Sequence, residues 1–174
     1  MAEAVKAPDV YNLQTKLGIF LAGSIEMGKA ENWQERVTKG LQDEQDIVIL
    51  NPRRDDWDST WTQSISNPQF YEQVTWELQA QEDANVIVMY FDPSTKSPIT
   101  LLELGIFSQH KFTKDGLPKK MIVCCPEGFW RKGNVDITCE RYAIQQVSTI
   151  DELVEQTRKA ATEILTQKLS KALE

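Results

Sequence analysis

Histidine is nearly absent from this chain: His110 is the only one in 174 residues. A serine–histidine triad would have to use it, and nothing around it supports one. Its place near the end of a helical stretch, where a cation favours the helix dipole, gives it a structural role instead. Cysteine is scarce as well, with three residues and no Cys-x-x-Cys pair, so no zinc site is expected. Cys124 and Cys125 are adjacent in a strand-like pattern, which points them to opposite faces as small core residues. There is no Gly-x-Gly-x-x-Gly and no Walker lysine motif, which excludes a dinucleotide fingerprint and a P-loop. No apolar run approaches the length of a membrane span, and no charged-then-apolar leader opens the chain. Positive charge is in deficit: 19 Lys and Arg stand against 26 Asp and Glu, a net charge of −7. That argues against binding a nucleic-acid polymer or an anionic membrane. The expectation is a soluble, cytoplasmic protein without internal repeats.

What is present is an ordinary globular composition, 41% apolar, with length enough for one compact domain. Residues 1–15 are mixed and polar, and read as a loose N-terminal arm ahead of a domain over 16–174. Leu17–Ala22 is a short apolar strand. Glu31–Gln45 is a helix with Trp33, Val37 and Leu41 on one face. Asp46–Leu50 is a second strand. Pro68–Asp83 is a helix with Phe70, Val74 and Leu78 on its apolar side. Asn85–Phe91 is a third strand, Lys120–Cys125 a fourth and Ala143–Val147 a weaker fifth. Val135–Arg141 forms a short helix. A long final helix is capped by Ser148 or Thr149, with Ile150, Leu153, Val154, Ala161, Ile164 and Leu165 at helical spacing. Strands alternating with helices predict a parallel α/β sheet with right-handed crossovers. The expected architecture is a flavodoxin-like, doubly wound five-stranded sheet, order 2-1-3-4-5, with helices on both faces. Its switch point falls between the first and third strands.

The chain is organised around Asn85–Gln109, NVIVMYFDPSTKSPITLLELGIFSQ. An apolar run suited to a doubly buried strand ends in turn residues at Asp92–Lys96. Ser97 is a helix N-cap candidate and Pro98 fits the first helical position. In open parallel sheets such loops, at strand carboxyl ends, hold ligands. One acid, Glu103, follows among leucines and is a candidate for chemistry. Its structural alternative is the capping pattern Thr100-Leu-Leu-Glu103 with a dipole role. Gly23 and Ser24 end the first strand, where backbone N–H groups suit an anion or a sugar hydroxyl. Asn51 ends the second strand and leads into Arg53, Arg54, Asp55, Asp56 and Trp57, which either bind a ligand or order their own loop. Glu77 lies beside the apolar stripe of its helix, as a rim residue or a site residue. The loop Pro126–Asn134, PEGFWRKGN, is aromatic and basic.

Three stretches together carry a resemblance: F-L-A-G-S-I at 20–25, S-P-I-T-L-L-E-L-G at 97–105 and F-W-R-K-G-N-V at 129–135. Over about Leu17–Val147 the chain resembles the nucleoside 2-deoxyribosyltransferase family. The resemblance implies that Glu103 is a nucleophile and that Ser97, with Asp92 in the same loop, contacts the sugar. It implies that Glu77 recognises the base and that Asn134 reaches a neighbouring subunit's sugar. The substrates would be nucleosides and nucleobases, handled without metal or organic cofactor by a homo-oligomer built from dimers with shared sites. Two departures stand out. A tyrosine common in the family's first strand is Phe20 here, so any hydroxyl that positions the nucleophile must come from elsewhere. Related nucleoside-monophosphate glycosidases often have arginine after G-S-I, whereas Glu26 stands here and would repel a 5-phosphate. Nucleosides are therefore expected to be preferred over their monophosphates. Base exchange between deoxynucleosides is the leading expectation. An N-glycosidase of the same fold and a non-catalytic nucleotide-sensing module are the alternatives.

Overall fold

The computed structural model describes residues 1–25 and 30–172. Its elements in chain order are β1 (Glu3–Lys6), β2 (Leu17–Gly23), α1 (Trp33–Leu41), β3 (Ile47–Asn51), α2 (Pro68–Asp83) and β4 (Val86–Tyr90). Then come α3 (Pro98–Phe107), β5 (Lys120–Cys124), α4 (Lys132–Arg141), β6 (Gln145–Val147) and α5 (Ile150–Lys171). The strands form one parallel sheet in the order β1-β3-β2-β4-β5-β6. The five expected strands are present in their expected relative order, as β3-β2-β4-β5-β6. The correction is a sixth strand: part of the supposed loose arm is β1, paired with β3 from Glu3↔Val48 to Lys6↔Asn51. This edge strand buries Val5 alone of its four residues, so it leaves almost no alternation to read.

The central strands are apolar throughout because both of their faces are covered. β3 and β4 are buried along their whole length, and β2 up to Gly23. Leu17, Ile19, Leu21, Val86, Val88 and Cys124 pack with Trp33, Val37 and Leu41 of α1 and with Ile150, Leu153 and Ile164 of α5. Phe20, Ala22, Ile87, Met89, Val123 and Cys125 face the other way, toward α2, α3 and α4. Cys124 and Cys125 thus lie on opposite faces, as their adjacency predicts, and both are free thiols. Each fully buried aliphatic side chain in these layers is worth about 1.5–3 kcal/mol.

α1 buries the residues its spacing predicts. α5 buries Ile150, Leu153, Ala161 and Ile164 of those expected, with Val154 and Leu165 partly buried against the same core. Thr149 caps α5 by accepting a hydrogen bond from the Glu152 backbone N–H at 3.1 Å. α2 does not follow its expected face. Asn67 caps it by accepting from Phe70 N–H, and Pro68 opens it, so its start is as read. Its buried residues, however, are Gln73, Ala80 and Gln81, while Leu78 is exposed and Phe70 and Val74 are only half-buried. The amide nitrogens of the inward glutamines find partners, described below, while their oxygens do not. At the far end of α2 the buried Lys119 ammonium donates to the Gln81, Glu82 and Ala84 carbonyls, completing the helix C-terminus.

Candidate active site

The reversal of strand order lies between β2 and β4, which pair in register from Ile19↔Val86 to Gly23↔Tyr90. Their carboxyl ends bring the Gly23-Ser24 loop against the 92–97 loop, as the expected topology requires. Gly23 is needed for that approach, since a Cβ there would lie 2.5 Å from the Tyr90 carbonyl oxygen and 2.6 Å from the Trp33 ring. The Trp33 indole N–H donates to the Ser24 carbonyl at 3.1 Å. Three buried hydroxyls then meet. Ser24 Oγ and Ser97 Oγ are hydrogen-bonded, and Thr95 Oγ1 lies 3.0 Å from the first and 2.7 Å from the second. The Asp92 backbone N–H donates to Ser24 Oγ at 2.9 Å.

Ser97 occupies the N-cap position of α3, but its side chain makes no capping bond and its backbone is left-handed, with φ 46°. That conformation is costly for a non-glycine residue and directs the hydroxyl into the cluster rather than onto the helix. The capping-box alternative for Glu103 also falls: the helix begins at Pro98, so Glu103 lies beyond the first turn, and that turn contains no acid.

Glu103 projects from α3 toward α2 and is 7% exposed. Its Oε1 accepts from Gln81 Nε2 at 3.0 Å. Glu77, half-buried on α2, accepts from Gln73 Nε2 at 2.6 Å, and the same amide donates to the Pro52 carbonyl at 2.9 Å. Burial pushes Glu103 up to about 8, and the charge of Glu77 adds to that rise, while the Gln81 amide pulls against it. Burial pushes Glu77 up to about 7, with the Gln73 amide opposing. A buried and a half-buried carboxyl that feel each other, both raised toward neutrality, are an arrangement suited to acid–base and nucleophilic chemistry.

The other expected residues divide. Asp92 spends its carboxylate on the loop. One oxygen accepts from the Ser94 N–H and hydroxyl at 2.8 and 2.6 Å, and the other from the Glu31 N–H at 3.1 Å. Burial works to raise it, but these donors prevail and hold it below the usual carboxylate range. Asn51 lies at the end of β3 and accepts from the Arg53 N–H at 2.9 Å. The loop after it is ordered by its own charges and rings: Arg54 pairs with Asp56 and Glu72 and lies over Trp61, which meets Trp57 edge-on. Asn134 is exposed in the first turn of α4. Near it Trp130 is flanked by Lys96 and Arg131, each 4.4 Å from its ring centre. Glu26 lies outside the described residues. Sequence reasoning missed Gln73, Gln81 and Thr95. The signal for the glutamines was their spacing, with Glu77 between them at four-residue steps on one helix face.

Among the described residues, no group of three or more His, Cys, Asp or Glu is placed to hold a metal ion. No described helix is long and apolar enough to cross a membrane.

No functionally curated protein matches the chain. A conserved protein from Enterococcus faecalis V583 has a crystal structure that matches with a TM-score of 0.54 at 12% identity. The match covers 88% of this chain and 99% of that one, and speaks for the fold alone. A family model described as nucleoside 2-deoxyribosyltransferase like matches residues 16–129, which take in β2, Ser24, Glu77, the hydroxyl cluster and Glu103. On that match, the chain belongs to the nucleoside 2-deoxyribosyltransferase-like family.

Proposed function

We propose that this protein transfers a 2-deoxyribosyl group between nucleobases, with Glu103 as nucleophile and Glu77 as the acid that protonates the departing base. The observation that carries the reading is the pair of interacting, amide-held carboxyls beside the switch point. In the first displacement a Glu103 oxygen bonds to the anomeric carbon while the bond to the base nitrogen breaks. The bonding pair leaves with the base, which takes a proton from Glu77. In the second, the incoming base attacks the same carbon, the ester bond breaks back to Glu103, and Glu77 recovers a proton. Two displacements retain the anomeric configuration, and an oxocarbenium-like transition state forms readily where no 2-hydroxyl withdraws electrons. No step uses a metal or organic cofactor. The Ser24, Thr95 and Ser97 hydroxyls suit the sugar, and Asp92 shapes the loop that presents them.

Deoxyinosine incubated with free adenine tests the reading. Deoxyadenosine should accumulate, and without adenine the deoxyinosine should persist. Equal release of deoxyribose in both samples would make the protein a hydrolase, and no consumption in either would leave it a binding module.

The productive microstate has the proton on Glu77 and none on Glu103, which is the minor of the two singly protonated forms because Glu103 holds its proton more tightly. As pH falls, Glu103 is protonated and loses its lone pair. As pH rises, Glu77 loses the proton it must give. A bell-shaped kcat/KM profile is expected, its limbs near the pair's values of about 7 and about 8. A rate that climbs steadily to pH 10 would remove Glu77 as the acid.

The same reading includes assembly. Ile99, Leu102 and Ile106 lie along the outer side of α3 and are 59%, 58% and 40% exposed. Tyr71 and Leu78 lie outward on α2. An apolar strip of this kind, with Trp130 held at the start of α3 by its hydrogen bond to the Lys96 carbonyl, suits a second copy of the chain. The proposal is a homo-oligomer of dimers in which Asn134 of one protomer serves the pocket of the other.

A further inference from the structure

We infer that Gln81 is a positioning residue for Glu103, supplying from α2 the donor that fixes the nucleophile's orientation. This rests on the proposed role of Glu103 and goes beyond it by naming what holds that carboxylate. Gln81 is fully buried, and its Nε2 hydrogens are directed to Glu103 Oε1 at 3.0 Å and to the Glu77 carbonyl at 3.3 Å. The second contact locks the amide along its own helix, so the first is delivered at a fixed angle. The backbone is held too, because the Gln81 carbonyl accepts from the buried Lys119 ammonium at 2.5 Å. The opposite amide atom, Gln81 Oε1, is buried without a hydrogen-bond partner. A buried amide that leaves its oxygen unsatisfied is costly, and packing alone would favour an apolar residue there. The retained benefit is the bond to Glu103. Phe20, at 0% exposure in β2, has no hydroxyl to offer that carboxylate.

The groups around Glu103 define what Gln81 must do. α2 presents Glu77, whose charge opposes ionisation of Glu103. On this side of the sheet β2 and β4 present Phe20, Ala22, Ile87 and Met89, which solvate no charge. Within this surrounding, the Gln81 N–H favours the ionised, nucleophilic form. Glu82, Asp83 and Lys119 lie beyond it at the end of α2.

The test uses the full chain in two ways. The side-chain amide resonance of Gln81 in the ¹⁵N-labelled wild type, assigned by its loss in Gln81→Met, should move with pH. Its midpoint should lie at about 8 and match the upper limb of glycosyl-enzyme formation, and the movement should vanish in Glu103→Gln. In Gln81→Met, verified as folded by circular dichroism, glycosyl-enzyme formation should slow about tenfold or more. The limb at about 8 should shift upward by about one pH unit, with nucleoside Kd unchanged. A packing role would leave the limb in place. An amide signal that is constant between pH 5.5 and 9, or that still titrates in Glu103→Gln, overturns the inference, as does a folded Gln81→Met with wild-type rate and limb. The wild-type titration decides even if Gln81→Met does not fold. It also decides if the protein turns over no deoxynucleoside, an outcome that defeats the proposed function instead.

Discussion

α1 and α2 carry the same apolar spacing, Trp33-Val37-Leu41 in one and Phe70-Val74-Leu78 in the other, yet they use it in opposite ways. On α1 all three residues are fully buried against the sheet. On α2 Leu78 is exposed and Phe70 and Val74 are only half-buried, while the fully buried positions go to Gln73, Ala80 and Gln81. The first helix buries its whole apolar stripe, with Gln34 the one polar side chain buried beside it. The second turns hydrogen-bonding groups inward, where low dielectric strengthens every interaction they make, and leaves apolar surface for something else to cover. The inversion marks the face of the sheet to which the proposed chemistry belongs.

Four experiments break or sharpen that contrast. The largest effect belongs to the chemical face: Glu103→Gln should lower glycosyl transfer by about 10³-fold or more, ~4 kcal/mol of barrier, with the circular dichroism spectrum unchanged. More than about a tenth of wild-type activity would remove Glu103 as nucleophile. On the opposite face, Leu41→Ala should cost about 2–5 kcal/mol in urea unfolding while kcat per folded molecule stays within about twofold. A large loss of kcat in folded protein would mean that the α1 face is not a passive support.

A smaller effect separates the faces by pH. The folded-state value of Glu103 is raised above its ordinary 4.5. The native state therefore binds the proton more tightly, and the stability this brings is present at low pH and lost as pH rises toward about 8. Glu103→Gln removes that loss. It should match the wild type near pH 4.5 and exceed it at pH 8.5 by about 1–3 kcal/mol, roughly 3–10 °C in Tm. Leu41→Ala should show the same deficit at both pH values. Identical Tm differences for Glu103→Gln at both would place that carboxyl in water. The smallest signal is a partial recovery. Glu103→Ala and Asn134→Ala, each impaired alone, should regain activity above the sum of the separate samples when their subunits exchange, because one pocket of each mixed dimer is intact. Exchange without recovery, or a monomer by sedimentation, defeats the shared site.

The same contrast explains what the sequence disclosed. Strands buried on both faces announce themselves as apolar runs, and their relative order followed from alternation with helices. α2 was legible in its limits because Asn67 and Pro68 mark its start, but not in its orientation, because periodicity reports a stripe and not what the stripe faces. β1 was hidden because an edge strand with one buried residue has no period. Glu103 stood out as an acid among leucines beside a strand end. Gln73 and Gln81 did not, since glutamine on a helix looks like solvent-facing surface unless the inversion is already suspected. Ser97 was expected to cap α3, and only the left-handed backbone reveals that its hydroxyl is committed elsewhere.

The cluster of Ser24, Thr95 and Ser97 has a directional freedom that charged or amide groups lack. Each hydroxyl both gives and accepts, and its proton swings about a single C–O bond. The Ser24–Ser97 and Thr95–Ser97 contacts can each exchange donor and acceptor without moving a heavy atom. A rigid pocket wall built this way greets a sugar oxygen as donor or as acceptor. In the proposed glycosyl transfer, that freedom lets the Ser97 hydroxyl change sense between the two half-reactions at the cost of turning protons alone.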